Sequence, residues 1–512
     1  MKKIIYSIIF IFLLTNCNED TLETVPTNKA DEATVFETVE NAFTALNGIY
    51  RAFFVYGSDW VDYYESENAG IAALGLAADL FGDDMVQNEA GSAWFWYDYR
   101  YWVRSEVNST GDRPYAWWNM HYKFVNNANF ILANIDDATG DEADRNNVKA
   151  QAYALRAYAY FNLIRLYQRT YIDHETDPGV PLYTEPTTKN TEGKGRGTVT
   201  EVYTQINADI DEAITLFQDA SAKRHISHID LAVAHGFKAR VALAQENWSV
   251  AASNAALAIS NTSSSLMSTA DVNAGFNSVS NPEWMWGSEV NDEQTLSWSS
   301  FWSHMDAGAG GYAEDSRKCV SRWLYEQIGN NDVRRDWFVD PASSADDPTG
   351  PDFRYNQVKF TIEQAGSWAS DLLYMRLAEM YLIQAEAECM LTNYTTARTL
   401  LETLLNYKDP SINNAYLASI PDGNTLNIGS DGPVNNLLDF IILQRRIELW
   451  GEGFRIFDIE RLKTGFDRAY AGSNHSAQLT IIDPESWEWI MMIPQAEFDG
   501  NVNMDAATDQ NP

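Results

Sequence analysis

The sequence predicts a mostly α-helical protein, a scaffold of helix pairs interrupted by long loop-rich insertions and carrying few short strands. Three observations predict it. Apolar residues recur at helical spacing over long stretches, and runs rich in Ser, Asn, Gly and Pro separate those stretches. Two-residue alternation is scarce, so only Gln357 to Ile362 and Thr480 to Ile482 are short extended candidates.

The first segment is an address. Lys2 and Lys3 precede an apolar run from Ile4 to Leu14, broken by Ser7. That run is too short to span a bilayer, which takes about 20 apolar residues, and it fits the core of a signal peptide. It ends in Leu14-Thr15-Asn16-Cys17 and turns polar at Asn18-Glu19-Asp20. The arrangement resembles a bacterial lipoprotein signal, with residues 1–16 removed and Cys17 acylated as the lipid anchor, although Asn16 stands where a small residue is usual. The acidic residues after Cys17 resemble the surface-export signal of Bacteroidetes lipoproteins. Lipid chains tether a protein without making it span the membrane. A plain secretory signal is the alternative.

Further along, Ala152, Leu155, Ala159, Leu163 and Leu166 line one helix face, and Tyr153, Ala157, Tyr160, Ile164 and Tyr167 the adjacent stripe. Pro178 and Pro181 turn that helix into a loop, and Thr187 to Gly197 is polar and Gly-rich. A new helix starts at Thr198, with Thr200 as a second candidate cap, and runs to about Phe217. Asn261 to Asn281, Pro341 to Pro351 and Asp422 to Pro433 read as connections. Two stretches look like copies of one helix-turn-helix unit. Ala239, Trp248 and Ala251 recur, at the same offsets, as Ala385, Tyr394 and Ala397. Both resemble the tetratricopeptide pattern, in which small residues let two helices approach and an aromatic fills the turn. Their wide separation excludes a tandem array and implies a scaffold with long insertions; a chance match of two unrelated hairpins is the alternative.

Composition narrows the function. The 512 residues would suggest about three domains at roughly 150 each. Acidic residues number 72 and basic ones 36, for a net charge of −36, yet charged residues are only 21% and hydrophobic ones 45%. That balance belongs to a globular protein. Nucleic-acid binding depends on Lys and Arg displacing counterions, so this charge argues against it.

Catalytic signatures are thin. No HExxH, GxSxG, Walker loop, CxxC or strand-linked GxGxxG occurs. His225, His228 and His235 lack a clearly placed carboxylate and read as packed or solvated, and the Asp-rich stretch from Asp340 to Asp352 lacks calcium-loop spacing. Glu283, Glu289, Asp292 and Glu293 lie in a loop with nothing to mark them as an acid-base pair. Cys389 sits in an apolar helical stretch and reads as a buried free thiol, and no metal or cofactor is expected.

Aromatic clusters carry more. Trp94, Phe95, Trp96, Tyr97, Tyr99, Tyr101 and Trp102 crowd one stretch, and Trp284, Trp286, Trp298, Phe301 and Trp302 form a second. Neither shows clean helical or alternating polarity, so both fit insertions outside the scaffold. Exposed rings beside Asn, Asp and Glu suit sugars, whose C–H faces stack while hydroxyls take the polar groups. Most rings are nonetheless expected to pack, since each buries about 150–250 Å². Trp117, Trp118, Tyr122 and Phe124 fall within a helical pattern and are assigned to packing.

Several phrases, in order, resemble one family. They are Ala154-Leu155-Arg156-Ala157-Tyr158-Ala159-Tyr160-Phe161, Gly179-Val180-Pro181-Leu182, Asp332-Val333-Arg334-Arg335 and a helix written Leu373-Tyr374-Met375-Arg376-Leu377-Ala378-Glu379. The stretch from Arg445 to Arg455 with Asp458-Ile459 and Arg461 to Gly465, and the ending Ile493-Pro494-Gln495-Ala496-Glu497 with Gln510-Asn511-Pro512, complete the set. The chain thereby resembles the SusD-like (RagB/SusD) lipoproteins. The resemblance implies a single SusD-like domain over 17–512, with tetratricopeptide-like units near 116–260 and 371–406 and ligand-binding insertions near 56–113 and 275–320. It implies a surface glycan-binding lipoprotein of the outer membrane that delivers oligosaccharide to a SusC-like TonB-dependent transporter without catalysis. By region, it points to Trp94, Trp96, Tyr97, Trp286, Trp298 and Trp302 as stacking platforms. The Arg445 to Arg455 motif reads as architecture, with its arginines and Glu448 in ion pairs and Gly451 and Gly453 ending the helix. A tetratricopeptide lipoprotein that binds peptide or protein, and a surface glycosidase, are the competing readings. The acidic charge favours a neutral polysaccharide over a polyanionic one.

Overall fold

A computed structural model describes residues 35–55, 66–87, 94–105, 113–342, 353–364 and 366–512; the leader and Cys17 lie outside them. The longer helices are α1 (Val39–Ala52), α2 (Gly70–Phe81), α3 (Arg113–Asn134), α4 (Glu142–Tyr167), α5 (Val199–Phe217) and α6 (Leu231–Ala244). They continue as α7 (Trp248–Asn261), α8 (Leu377–Met390), α9 (Tyr394–Leu405), α10 (Leu437–Glu448) and α11 (Arg455–Arg461).

Local chemistry sets their ends. Thr198 caps α5 through a reciprocal box: its hydroxyl accepts from the Glu201 N–H at 3.2 Å, and the Glu201 carboxylate accepts from the Thr198 N–H at 2.7 Å. Asp141, Asn247 and Asn436 cap α4, α7 and α10 with side-chain oxygens. Both apolar stripes of α4 are buried apart from the partly covered Tyr153, so this helix is covered nearly all round.

From α3 to α7 each helix packs on the next, and α7 then packs on α8 although residues 262–376 intervene. The two repeat units are thus neighbours in one stack. Ala239, Ala251, Ala385 and Ala397 are all fully buried, which lets the helix backbones approach, and Trp248 and Tyr394 open α7 and α9 half-buried. The free thiol of Cys389 is buried in α8.

Among the described residues six short strands pair in twos. β1 (Met85–Gln87) runs antiparallel to β3 (Lys318–Val320), β2 (Trp284–Ser288) to β4 (Leu372–Arg376), and β5 (Phe466–Asp467) to β6 (Thr480–Ile481). The expected extended segment near Thr480 is β6. Gln357 to Ile362 is not a strand; only Gln357 makes a single bridge, to Phe338. The helix expected from Leu373 begins instead at Leu377, because β4 occupies Leu372–Arg376 in register with β2. The β1–β3 pair ties the first insertion to the second.

A buried ionic network clamps these insertions to α10. Glu448, fully buried, accepts from Arg334 at 2.9 Å, Arg376 at 2.6 Å and Lys408 at 2.6 Å. Burial alone would raise its carboxyl; Lys408, Arg376 and Arg334 together hold it well below the usual carboxylate range. Arg376 also reaches Glu283 at 2.6 Å and Glu452 at 2.8 Å. Glu283, unmarked in the sequence, is therefore a structural acid that also accepts from the Met267 and Ala378 N–H groups. Arg445 pairs with Asp458 at 2.7 Å, Arg446 with Asp84 at 2.6 Å and Arg455 with Asp83 at 2.6 Å. Gly451 and Gly453 follow the end of α10 with φ of 79° and 85°. Asp79 of α2 accepts from the N–H groups of Gly453, Phe454 and Arg455 at 2.9–3.1 Å, and so caps α11.

Candidate functional site

The β1–β3 pair brings the two aromatic groups together. Trp94 follows β1, and Tyr312 precedes β3; their ring centroids lie 4.7 Å apart at 41°. Tyr312 contacts Trp298 at 5.4 Å, and Trp298 contacts Trp368 at 6.2 Å. These four rings form one continuous arc. Trp298 is 51% exposed, and Trp94, Tyr312 and Trp368 are half-buried.

Beside it, Tyr97 stacks on Trp102 at 5.5 Å and 30°, with both rings about half exposed, at 47% and 48%. The Arg100 guanidinium lies 4.1 Å from the Trp102 centroid and 5.7 Å from Trp96. Backbone geometry aims these rings. Phe95, Ser297 and Tyr101 have φ of 63°, 51° and 65°, and each directly precedes Trp96, Trp298 or Trp102. Left-handed conformations at non-glycine residues cost on the order of 1–3 kcal/mol, and they persist where surrounding contacts over-determine them.

Those contacts are present. The Phe95 N–H donates to the Glu67 carboxylate. Arg113 donates to both Asp98 carboxylate oxygens at 3.0 and 2.7 Å and to Asn68 at 2.6 Å, joining the turn at Ser66–Asn68 to the helical turn Trp96–Tyr99. Beneath the arc, His304 lies 5.1 Å from Tyr312 and 4.9 Å from Phe95, and burial holds it neutral, well below the usual histidine range. Buried Lys318 donates to the Ser316 carbonyl at 2.6 Å, and burial pulls its ammonium down to about 7. At the edge of the arc Ser367 donates to Asp292 at 2.6 Å, and underneath it the buried Ser66 hydroxyl lies 3.5 Å from that of Tyr312.

The six expected platforms divide. Trp94, Trp96, Tyr97 and Trp298 lie at this site with ring surface exposed. Trp286 and Trp302 are corrected: they are 2% and 1% exposed and serve as packing. Trp286 lies on β2 among Phe53, Tyr158 and Tyr374 and donates its indole N–H to the Ser227 carbonyl at 2.7 Å. Trp302 donates to the Ser370 carbonyl at 2.8 Å. Both line a pocket of about 110 Å³, well below the roughly 300–1,000 Å³ of small-molecule sites. Tyr312 and Trp368 were not singled out by sequence. Tyr312 sits inside the expected second insertion, and Trp368 is an isolated ring in a polar loop, which was the available signal.

The histidines are spread over different partners. His225 faces Glu289 at 3.1 Å, His228 faces Asn47 at 2.8 Å, and His235 faces Asn254 at 2.9 Å. Among the described residues no group of three or more His, Cys, Asp and Glu side chains is placed to hold a metal ion.

Comparison with known proteins agrees with this architecture. A SusD-like family model described as "Starch-binding associating with outer membrane" matches residues 57–243, and a model of the SusD family matches residues 302–512. A curated relative, SusD-like protein P2 of Formosa agariphila, is 25% identical over 98% of this chain and 95% of its own length. A SusD-like carbohydrate binding protein from Bacteroides vulgatus superposes with a TM-score of 0.75 at 25% identity, covering 92% of this chain and 98% of its own. A SusD superfamily protein from the same organism shares the fold with a TM-score of 0.76 at 22% identity, over 93% of this chain and 99% of its own.

Proposed function

The chain belongs to the SusD family, and from that premise we propose that it is a surface-exposed, non-catalytic glycan-binding lipoprotein. It captures oligo- or polysaccharide and passes it to a SusC-like TonB-dependent transporter of the outer membrane. The observation that carries this reading is the arc Trp94–Tyr312–Trp298–Trp368, built from both insertions and the loop that carries Trp368, with Trp298 exposed and the other three rings half-buried. Ring faces offer stacking surface to the C–H faces of successive sugars, and the hydroxyl and carboxylate groups at the rim take their hydroxyls. Trp96, Tyr97 and Trp102 extend the platform. The printed family description and the name of the Bacteroides vulgatus protein support a carbohydrate ligand.

Cys17 carries the lipid anchor and residues 1–16 are the leader. Among the described residues no helix is long and apolar enough to cross a membrane. The net charge of −36 favours a neutral polysaccharide over a polyanionic one.

The test is electrophoresis of the mature chain through native gels cast with starch, laminarin, galactomannan, alginate or pectate. Retardation by a neutral polymer, lost in Trp298→Ala and Trp94→Ala with the fold intact, is expected. Release of reducing ends would overturn the non-catalytic reading, and stronger retardation by alginate or pectate than by every neutral polymer would overturn the neutral one.

A further inference from the structure

A second cavity, of about 400 Å³, opens between α3, the loop 183–193 and the short helix Gln495–Gly500. It shares no residue with the aromatic arc or with the pocket lined by Trp286 and Trp302. On α3 its wall is one helix face, since Tyr115, Trp118, Tyr122 and Asn126 follow three- and four-residue steps. That face carries rings and amides where a core-facing helix would carry aliphatic side chains.

The walls are cross-braced. Trp118 contacts Tyr122 at 4.9 Å, and Tyr122 meets Tyr183 edge to face at 6.0 Å. Tyr122 donates its hydroxyl to the Pro181 carbonyl at 2.8 Å. Asn126 clasps Thr187 twice, accepting from its N–H at 2.7 Å and donating to its carbonyl at 3.2 Å. Glu497 accepts from the Trp118 indole at 3.1 Å and from Asn501 at 2.8 Å, and Asn501 also donates to the Lys194 carbonyl at 2.8 Å. Segments distant in sequence are therefore locked around the cavity before any ligand arrives, which lowers the ordering cost of binding.

The chemistry of the lining selects a ligand class. Its size falls within the roughly 300–1,000 Å³ of small-molecule sites. The Tyr122 and Tyr183 rings, set at 81° to each other, offer apolar ring surface to a C–H-bearing partner. The Tyr183 hydroxyl accepts from the Lys194 N–H at 2.9 Å and keeps its own proton to donate. Each Glu497 oxygen, accepting one protein bond, has a lone pair left. The charged side chain in the lining is the Glu497 carboxylate, which disfavours an anion, while the Lys194 ammonium, 5.4 Å from the Tyr183 ring centroid, is engaged with the Leu182 carbonyl.

We infer that this cavity is a second binding site, for a neutral sugar of one or two rings, packed against the Tyr122 and Tyr183 rings and hydrogen-bonded to Glu497. The inference does not depend on what the aromatic arc binds. Its test uses the mature chain carrying Trp94→Ala and Trp298→Ala, titrated calorimetrically with maltose, cellobiose, laminaribiose and mannobiose. Saturable binding of at least one disaccharide is expected to persist. Adding Ala496→Trp places a ring in the cavity mouth without removing any of the hydrogen bonds above, and should weaken that binding at least tenfold at unchanged Tm. Glu497→Gln, which keeps the shape, should also weaken it several-fold. Absence of saturable binding of all four sugars, or binding indifferent to both substitutions, would overturn the assignment. So would tighter binding of digalacturonate than of every neutral disaccharide.

Discussion

Trp94 and Tyr312 come from different insertions, yet their rings lie 4.7 Å apart. The contact exists because Met85 pairs with Val320 and Gln87 with Lys318 in the β1–β3 ladder. Gln87 then donates its side-chain amide to the Trp94 carbonyl at 2.6 Å. One short ladder thereby turns two separate clusters of rings into a continuous surface.

Exposure separates two tryptophans of the same insertion. Trp298→Ala should reduce glycan affinity at least tenfold, about 1.4 kcal/mol, while moving stability by no more than about 0.5 kcal/mol. Trp286→Ala should instead destabilise the fold by about 3–5 kcal/mol, because it empties a packed position. Thermal unfolding beside affinity electrophoresis distinguishes the two effects.

Glu448→Gln should destabilise by about 3–5 kcal/mol, since it leaves the charges of Arg334, Arg376 and Lys408 buried without their shared partner. Denaturant unfolding measures it. A loss below about 1 kcal/mol would mean the network is not set by charge.

His475 predicts an acid limb. Its Nδ1 faces the Tyr99 hydroxyl at 2.7 Å and its Nε2 the Asp83 carbonyl at 3.1 Å, so Nε2 holds the proton and Nδ1 accepts. Burial, with Arg468 nearby, pulls its pKa down to about 3. Between that value and the ordinary histidine value of about 6.5 the unfolded chain binds more protons, so stability rises with pH there. The contribution is complete above about pH 6.5 and is lost as pH falls toward 3. His475→Gln should flatten this limb in a series of Tm measurements from pH 7.5 to 4.

Gly453 has φ of 85°, and a Cβ on it would stand 2.7 Å from the Gly75 Cα. Gly453→Ala combines backbone strain with a clash against backbone, so a loss of about 2 kcal/mol or more is expected. Gly48→Ala, whose added Cβ meets nothing within 4 Å, is the control and should be neutral or stabilising. Thermal unfolding of the two variants checks the contrast.

Thr198→Ala removes the capping box of α5 and should cost about 1 kcal/mol. Thr198→Ser, which keeps the hydroxyl, should restore most of it; the comparison is read by thermal unfolding.

By itself the sequence determined the helical scaffold, the Thr198 start and the repeat alanines. These are short-range properties: periodicity, capping and small-residue spacing act within a few helical turns, so they are written where they operate. Family phrases and the clustering of rings pointed to the two insertions. Tertiary structure alone decided which rings face a ligand. Trp286 and Trp298 sit in similar sequence surroundings, but Phe53, Tyr158, Tyr374 and Ser227 converge on Trp286 from elsewhere, while Trp298, whose ring neighbours among the described residues are Tyr312 and Trp368, stays half exposed. It likewise decided that Leu372–Arg376 is a strand, because β2 supplies its hydrogen-bond partner, and that Glu283 is an interior ion-pair acid, because Arg376 meets it there. Burial and pairing of a side chain depend on which distant segments cover it, and that information is not local to its own stretch of chain.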